Sequence, residues 1–192
     1  MNGQGIRMYG GGEPGATPPL APGLYVVATP IGNLRDITLR ALDTLAACDL
    51  LLCEDTRVSL KLLARYGIRA PIKPYHEHNA ERMRPVVLDR LQKGEAVALI
   101  SDAGTPLLSD PGYKLVRAAI EKGVRVFPVP GPSALTAALS VAGLPTDRFF
   151  FAGFLPPREQ ARKKAIAALK DVPGTLVFFE APQRLAGALA AL

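Results

Sequence analysis

The sequence predicts an α/β fold built on a mostly parallel sheet with helices on both faces. Three observations predict it. Short apolar runs alternate with amphipathic stretches from Leu24 to Phe179. Two of the runs, Leu50 to Cys53 and Ala96 to Ile100, are apolar without alternation, the pattern of strands covered on both faces. Finally, the Gly- and Pro-shaped segment Ser101 to Gly112 follows one such run and precedes a helical pattern, so it is a loop at the carboxyl end of a strand.

Taken in order, Met1 to Gly23 is rich in Gly and Pro with hardly any apolar periodicity, and residues 1–23 read as a flexible leader outside the fold. Leu24 to Thr29 is a strand, Thr38 to Ala47 a helix, Leu50 to Cys53 a strand and Ser59 to Tyr66 a helix. Pro71 to Tyr75 follows as a third strand. Asn79 is placed to cap a helix towards Gln92 with Gly94 as its stop, and Pro85, which has no amide hydrogen, should kink that helix or start its regular part. Ala96 to Ile100 and Arg125 to Pro128 are strands on either side of a helix from Gly112 to Lys122. Residues 24–130 thus form an N-terminal α/β domain.

Pro130-Gly131-Pro132-Ser133 then opens a helix with Ser133 as its N-cap, and Gly143-Leu144-Pro145 closes it, so residues 131–145 form a connecting helix and its entry loop. Ala134, Ala137 and Ala138 share one face, small enough for tight packing or for close approach to a ligand. Phe149 to Phe151 is a strand, Gly153 to Pro157 a loop, Arg158 to Lys170 a helix and Thr175 to Phe179 a strand, with an amphipathic piece from Pro182. Two strands expose too much sheet edge to make a sound domain, so residues 146–192 read as an incomplete C-terminal α/β domain.

A net charge of +6 and a pI near 9.5 favour an anionic partner such as nucleic acid. Cys48 and Cys53 lack metal spacing and read as small buried apolar residues in a reducing compartment. No apolar run reaches ~18 residues and no basic-then-apolar leader is present, so the expectation is a cytoplasmic protein. The loop Pro30-Ile31-Gly32-Asn33-Leu34 lacks GxGxxG and GxxxxGK[ST], and Ser101 and Ser133 lack the GxSxG elbow, which argues against a dinucleotide site, a triphosphate site and a serine hydrolase.

Candidate functional residues gather at strand ends. Within Ser101 to Gly112, Gly104, Pro106, Pro111 and Gly112 shape the backbone, while Asp102, Thr105, Ser109 and Asp110 offer acceptors and hydroxyls. Glu54, Asp55 and Arg57 follow the second strand at the same edge; either Asp55 caps the next helix and pairs with Arg57, or the group faces a ligand. His76 and His78 suggest a metal, but no further ligand has a fitting spacing and no metal site is expected. His76 and Asn79 fit RNA contact better, although Asn79 also fits a helix cap. Arg158, Arg162, Lys163, Lys164 and Lys170 form a basic face, with Arg35 and Arg40 adding charge near the first loop. Glu180 ends a late strand, where it either approaches the cleft or begins a helix.

Five segments together resemble the ribosomal RNA small subunit methyltransferase I family, within the tetrapyrrole methylase (class III methyltransferase) fold. They are Leu24 to Asp36, Cys53-Glu54-Asp55-Thr56-Arg57, Ser101 to Gly112, Pro130 to Ala134 and Phe179 to Arg184. The resemblance implies transfer of a methyl group from S-adenosylmethionine to the ribose 2′-hydroxyl of a cytidine in the decoding region of 16S ribosomal RNA. It further implies that Pro30, Asp102, Ala103, Gly104, Thr105, Pro132, Ser133 and Ala134 hold the cofactor, with Phe154 and Leu155 contributing from the second domain. Asp55, Arg57 and Glu180 become the catalytic candidates, and Arg35, Arg57, His76, Asn79, Arg158 and Arg162 the RNA-binding ones. The partners implied are 16S ribosomal RNA or the small ribosomal subunit, and a second copy of the chain in a homodimer.

Methyl transfer from a sulfonium is an in-line displacement, so alignment in a dry cleft supplies much of the rate and a positioned base helps the poorly nucleophilic hydroxyl. Two rival readings remain: a tetrapyrrole methyltransferase, and a non-catalytic RNA-binding protein of ribosome assembly.

Overall fold

The computed structural model describes residues 19–192. It divides into two compact units, Met1–Ser133 and Ala134–Leu192. In the first, β1 (Gly23–Val27), α1 (Leu39–Ala47), β2 (Leu50–Cys53), α2 (Thr56–Arg65) and β3 (Ile72–Pro74) are followed by α3 (Ala80–Gln92), β4 (Ala96–Leu99), α4 (Tyr113–Glu121) and β5 (Val126–Val129). All five strands are parallel, in the order β3-β2-β4-β1-β5. Prolines sit in both edge strands, Pro74 at the end of β3 and Pro128 within β5.

Burial explains the strand composition. Every residue of β2 and β4 is buried, because α1 and α2 pack on one face of the sheet and α3 and α4 on the other. Leu51, Ala96 and Ala98 join the first layer with Leu42, Leu45 and Leu62, while Leu50, Leu52, Val97 and Leu99 join the second with Val87, Leu91 and Leu115. Connections from β1 through β2 to β3 run one way along the sheet and those from β3 through β4 to β5 run back. Right-handed crossovers then place the two helix pairs on opposite faces. At the adjacent strands β1 and β4 the outgoing connections leave in opposite directions, which opens a crevice at their carboxyl ends.

Local departures from the sequence expectations have physical causes. The leader expected over residues 1–23 lies outside the described residues up to residue 18, but Pro19 to Gly23 belong to the fold. Leu20 packs on the core, the Tyr25 hydroxyl donates to the Ala21 carbonyl at 2.8 Å, and Gly23 opens β1. Helix α2 starts at Thr56, ahead of its apolar periodicity, because Asp55 caps it by accepting the Arg57 amide at 2.8 Å. Asn79 does not cap α3. Its own backbone is already helical, and its amide side chain closes the preceding turn instead, accepting from the His76 amide at 3.0 Å and donating to the Pro74 carbonyl at 2.9 Å. Helix α3 runs on through Pro85, which lies on its exposed side.

The second unit begins with α5 (Ala134–Val141), so the segment expected as a connector is divided between the units. It continues with β6 (Phe149–Phe154), α6 (Glu159–Ala167), β7 (Thr175–Phe179) and α7 (Leu185–Leu189). β6 and β7 are parallel. The loop expected from Gly153 starts later, since Gly153 takes a left-handed φ of +68° and the register shifts there, letting Phe154 rejoin β7 opposite Phe179. Helix α6 stops at Ala167, so Lys170 lies beyond it.

Candidate functional site

The carboxyl ends of β1, β2, β4 and β5 are stitched together by short hydrogen bonds. Thr29 and Gly104 form an isolated antiparallel bridge, the Thr29 amide donating to the Gly104 carbonyl at 2.9 Å and the Gly104 amide returning at 3.0 Å. The buried Thr29 hydroxyl donates to the Ser101 carbonyl at 3.1 Å. Thr105 Oγ1 donates to the Pro132 carbonyl at 3.1 Å, and Asp102 Oδ1 accepts the Asp55 amide at 3.0 Å. Pro30, Asp102, Ala103, Gly104, Thr105 and Pro132 are therefore brought to one edge, and Ser133 follows directly in the chain. Ala134, Phe154 and Leu155 belong to the second unit.

Small residues make this edge tight. Gly104 has a φ of +82°, and a Cβ on it would lie 3.2 Å from Ile31 Cγ2; a Cβ on Gly131 would lie 3.0 Å from Ala28 Cβ. Beyond Thr105 the loop carries stored backbone strain, with Leu107 at φ +77° and Ser109 at φ +65°. It returns through Gly112, where a Cβ would meet Leu99 Cδ2 at 2.8 Å.

The electrostatics separate two neighbouring carboxylates that the sequence left equivalent. Arg57 holds Asp55 down to about 2, through its side-chain hydrogen bonds and its amide. The Arg57 guanidinium reaches Asp55 with Nε at 3.0 Å and Nη2 at 2.6 Å. A carboxylate held that low is a weak proton acceptor at neutral pH, and Asp55 caps α2 with the Arg57 guanidinium paired to it. Glu54 goes the other way. Burial pushes its carboxyl up, reinforced by Asp102, Asp110, Glu77 and Asp55. Asp110 is also raised by burial, opposed by the Ser101 hydroxyl. Of the two adjacent acids at this strand end, Asp55 serves the helix and Glu54 does not.

The remaining candidates are dispersed. His76 and His78 stack edge to face at 5.9 Å between centroids, just past β3. Among the described residues no group of three or more His, Cys, Asp or Glu is arranged to hold a metal. Both cysteines are buried, and burial pushes the Cys48 thiol up to about 11. Arg158 is exposed, but Arg162 departs from the basic face expected of it: it is only 9% exposed. Its guanidinium packs where a Cβ on Gly187 of α7 would lie 3.4 Å from Nη2, so the side chain turns inward onto a helix surface that glycine leaves low. Glu180 is held by Arg184 and by the Ala181 amide at 2.8 Å, all within the second unit.

Against the β1 loop and α2, the first unit also contains a cavity of about 200 Å³, lined chiefly by Pro30, Leu34, Val58, Leu62, Ser101 and Asp102.

Comparison with known proteins agrees with this geometry. The family model described as Tetrapyrrole (Corrin/Porphyrin) Methylases matches residues 23–192. The chain belongs to that family. Within the methylases it is similar to ribosomal RNA small subunit methyltransferase I of Mesorhizobium japonicum, 63% identical over 174 residues, covering 91% of this chain and 59% of that protein. The protein of the same name from Escherichia coli O157:H7 is 51% identical over 166 residues, covering 86% of this chain and 58% of its own. This methylase chain thus spans somewhat under two thirds of the length of the curated relatives it matches. Two solved structures share the fold at low identity. A cobalt precorrin-4 methyltransferase aligns with a TM-score of 0.62 at 21% identity, over 88% of this chain and 72% of that one. A diphthine synthase aligns at 0.64 and 20%, over 83% and 65%.

Proposed function

We propose that this chain is part of an S-adenosylmethionine-dependent methyltransferase that modifies the ribose 2′-hydroxyl of a cytidine in the decoding region of 16S ribosomal RNA, acting as a cytoplasmic homodimer. The 63% identity to a relative named for ribosomal RNA methylation, over nearly the whole chain, carries the reading.

The donor set fits a cationic cofactor. Asp102, whose charge raises the proton affinity of Glu54 and Asp110 beside it, makes with them a negative edge suited to a sulfonium and an ammonium. Gly104 and Gly131 keep the floor of that edge free of side chains. Pro30, Asp102, Ala103, Gly104, Thr105, Pro132 and Ser133 would hold the cofactor within the first unit. When bound, it supplies an electrophilic methyl group.

The chain's own residues do the rest. The Thr29 bridge and the Thr105 hydrogen bond hold the loops in one arrangement before any ligand arrives, which lowers the cost of alignment. Glu54, whose carboxyl burial raises above the ordinary value, is better suited to take the hydroxyl proton than Asp55, which Arg57 holds low. Arg35, Arg57, His76, Asn79 and Arg158 contact the RNA in this reading.

Calorimetric titration with S-adenosylmethionine tests it. Saturable binding is expected, weakened by about tenfold or more in Asp102→Asn, which can still accept the Asp55 amide but has lost its charge. A folded chain that shows no saturable binding would overturn the cofactor assignment, and RNA affinity without cofactor affinity would favour the non-catalytic RNA-binding reading.

A further inference from the structure

Five buried side-chain atoms among the described residues lack a well-formed hydrogen bond, and the three that belong to the first unit fall in one place. They are Tyr75 Oη and His76 Nδ1, just past β3, and Arg84 Nε in the second turn of α3. Buried polar atoms are nearly always satisfied, so three orphans together need a cause. The turn that carries the first two is firmly built. Asn79 closes it with its two side-chain hydrogen bonds, and the Tyr75 amide donates to the Cys53 carbonyl at 2.7 Å. That bond fastens the turn to the end of β2, where Glu54 feels the charge of Glu77.

Arg84 is the unusual member. Among the described residues four arginines are less than fully exposed: Arg84, Arg90, Arg162 and Arg184. Glu95 pairs with Arg90 and Glu180 with Arg184. Arg162 is closed in against Gly187 of the second unit, whereas Arg84 is only partly buried and has no carboxylate partner. Its neighbour orients it. Tyr75 is 1% exposed and packs in the apolar layer with Val87 and Leu88 of the same helix. Burial pushes the Tyr75 phenol up, and the Arg84 guanidinium beside it pulls the other way. The inner Nε of Arg84 is sealed from solvent, and the terminal nitrogens are not. A cation half withdrawn from water, with an open outer edge and no carboxylate, is completed by an anion from outside the chain. The planar edge of a guanidinium matches two oxygens of a phosphate.

We propose that Arg84 binds a backbone phosphate of the RNA substrate through its outward edge, and that Tyr75 is the positioning residue that holds the guanidinium in place. The inference rests on the ribosomal RNA reading. It adds an anchor at the β3 end of the sheet edge, on a helix that the cofactor loops do not use.

The test measures binding of a short fluorescein-labelled single-stranded RNA by anisotropy over a range of salt. Lys122→Gln is the control, since α4 runs back from the carboxyl edge and leaves this exposed lysine at the amino edge of the sheet. Arg84→Gln should weaken binding about tenfold more than Lys122→Gln does and reduce the salt slope by about 0.7, the share of one single-strand phosphate. Its urea midpoint should not fall, because no ion pair within the chain is lost. Tyr75→Phe should weaken binding in the parent chain and change nothing further in the Arg84→Gln background; equal weakening in both would overturn the positioning role. Equal RNA affinity in Arg84→Gln and Lys122→Gln, with RNA still bound by the unaltered chain, overturns the phosphate site and leaves the RNA reading standing. Weaker S-adenosylmethionine binding in Arg84→Gln, with RNA affinity intact, overturns it in favour of the cofactor's carboxylate. No RNA binding by the unaltered chain removes the ribosomal RNA reading, and this inference with it.

Discussion

Glu54 and Asp55 are neighbours in sequence with opposite proton affinities, and stability should report the difference. Asp55 is lowered from an ordinary 3.8 to about 2, so its contribution is present above pH 3.8 and lost as pH falls towards 2. In Asp55→Asn, urea midpoints measured against pH should decline less between about pH 4 and pH 2 than those of the parent chain. Glu54 has the reverse sign. Its raised value means that its charged form opposes folding, and the penalty appears as pH rises through the folded value. Glu54→Gln is therefore expected to raise the urea midpoint at pH 7, and under the proposed function to lower methyl transfer as well. A Glu54→Gln protein less stable than its parent would contradict the burial argument. At Gly112, an added Cβ at 2.8 Å from Leu99 should cost about 1–3 kcal/mol in the Ala variant, measured by urea unfolding.

The elements show where a sequence is legible. β2 and β7 take the bounds expected of them, Leu50–Cys53 and Thr175–Phe179, because each apolar run is sharply bounded, β2 by Asp49 and Glu54 and β7 by Gly174 and Glu180. Helix α2 begins early because capping chemistry, not periodicity, decides its first turn. Arg162 points inward although its neighbours Lys163 and Lys164 are exposed, and only the fold reveals that Gly187 makes room for it. The edge that gathers the Pro30, Asp102 and Pro132 loops was readable because these loops directly follow β1, β4 and β5. By contrast, the cavity against the β1 loop draws on three segments around residues 29–34, 58–62 and 100–102, whose proximity depends on strand order, which periodicity does not specify. The hydrogen bonds joining the loops belong to this scale too. Thr29→Val should cost about 1 kcal/mol in stability and loosen the β4 loop, seen as faster amide exchange at Gly104.

At the scale of the molecule, the proposed function brings two ligands of opposite charge, a cationic cofactor and an RNA, to one sheet edge, where Asp102 and Lys61 line the same cavity. Raising salt should therefore weaken RNA binding steeply and cofactor binding little, a contrast that parallel titrations would measure. The prolines in the two edge strands of the five-stranded sheet have a different kind of consequence. Pro74 and Pro128 cannot donate to an added strand, and β3 is only three residues long, so the first unit offers a poor template for other chains. β6 and β7, with the sequences FFFAGF and TLVFF, carry no proline and no charge. On heating, cross-β aggregates of this protein should be seeded by those two segments, and protease-resistant cores recovered from the aggregates should map there while the first unit's sheet is digested away.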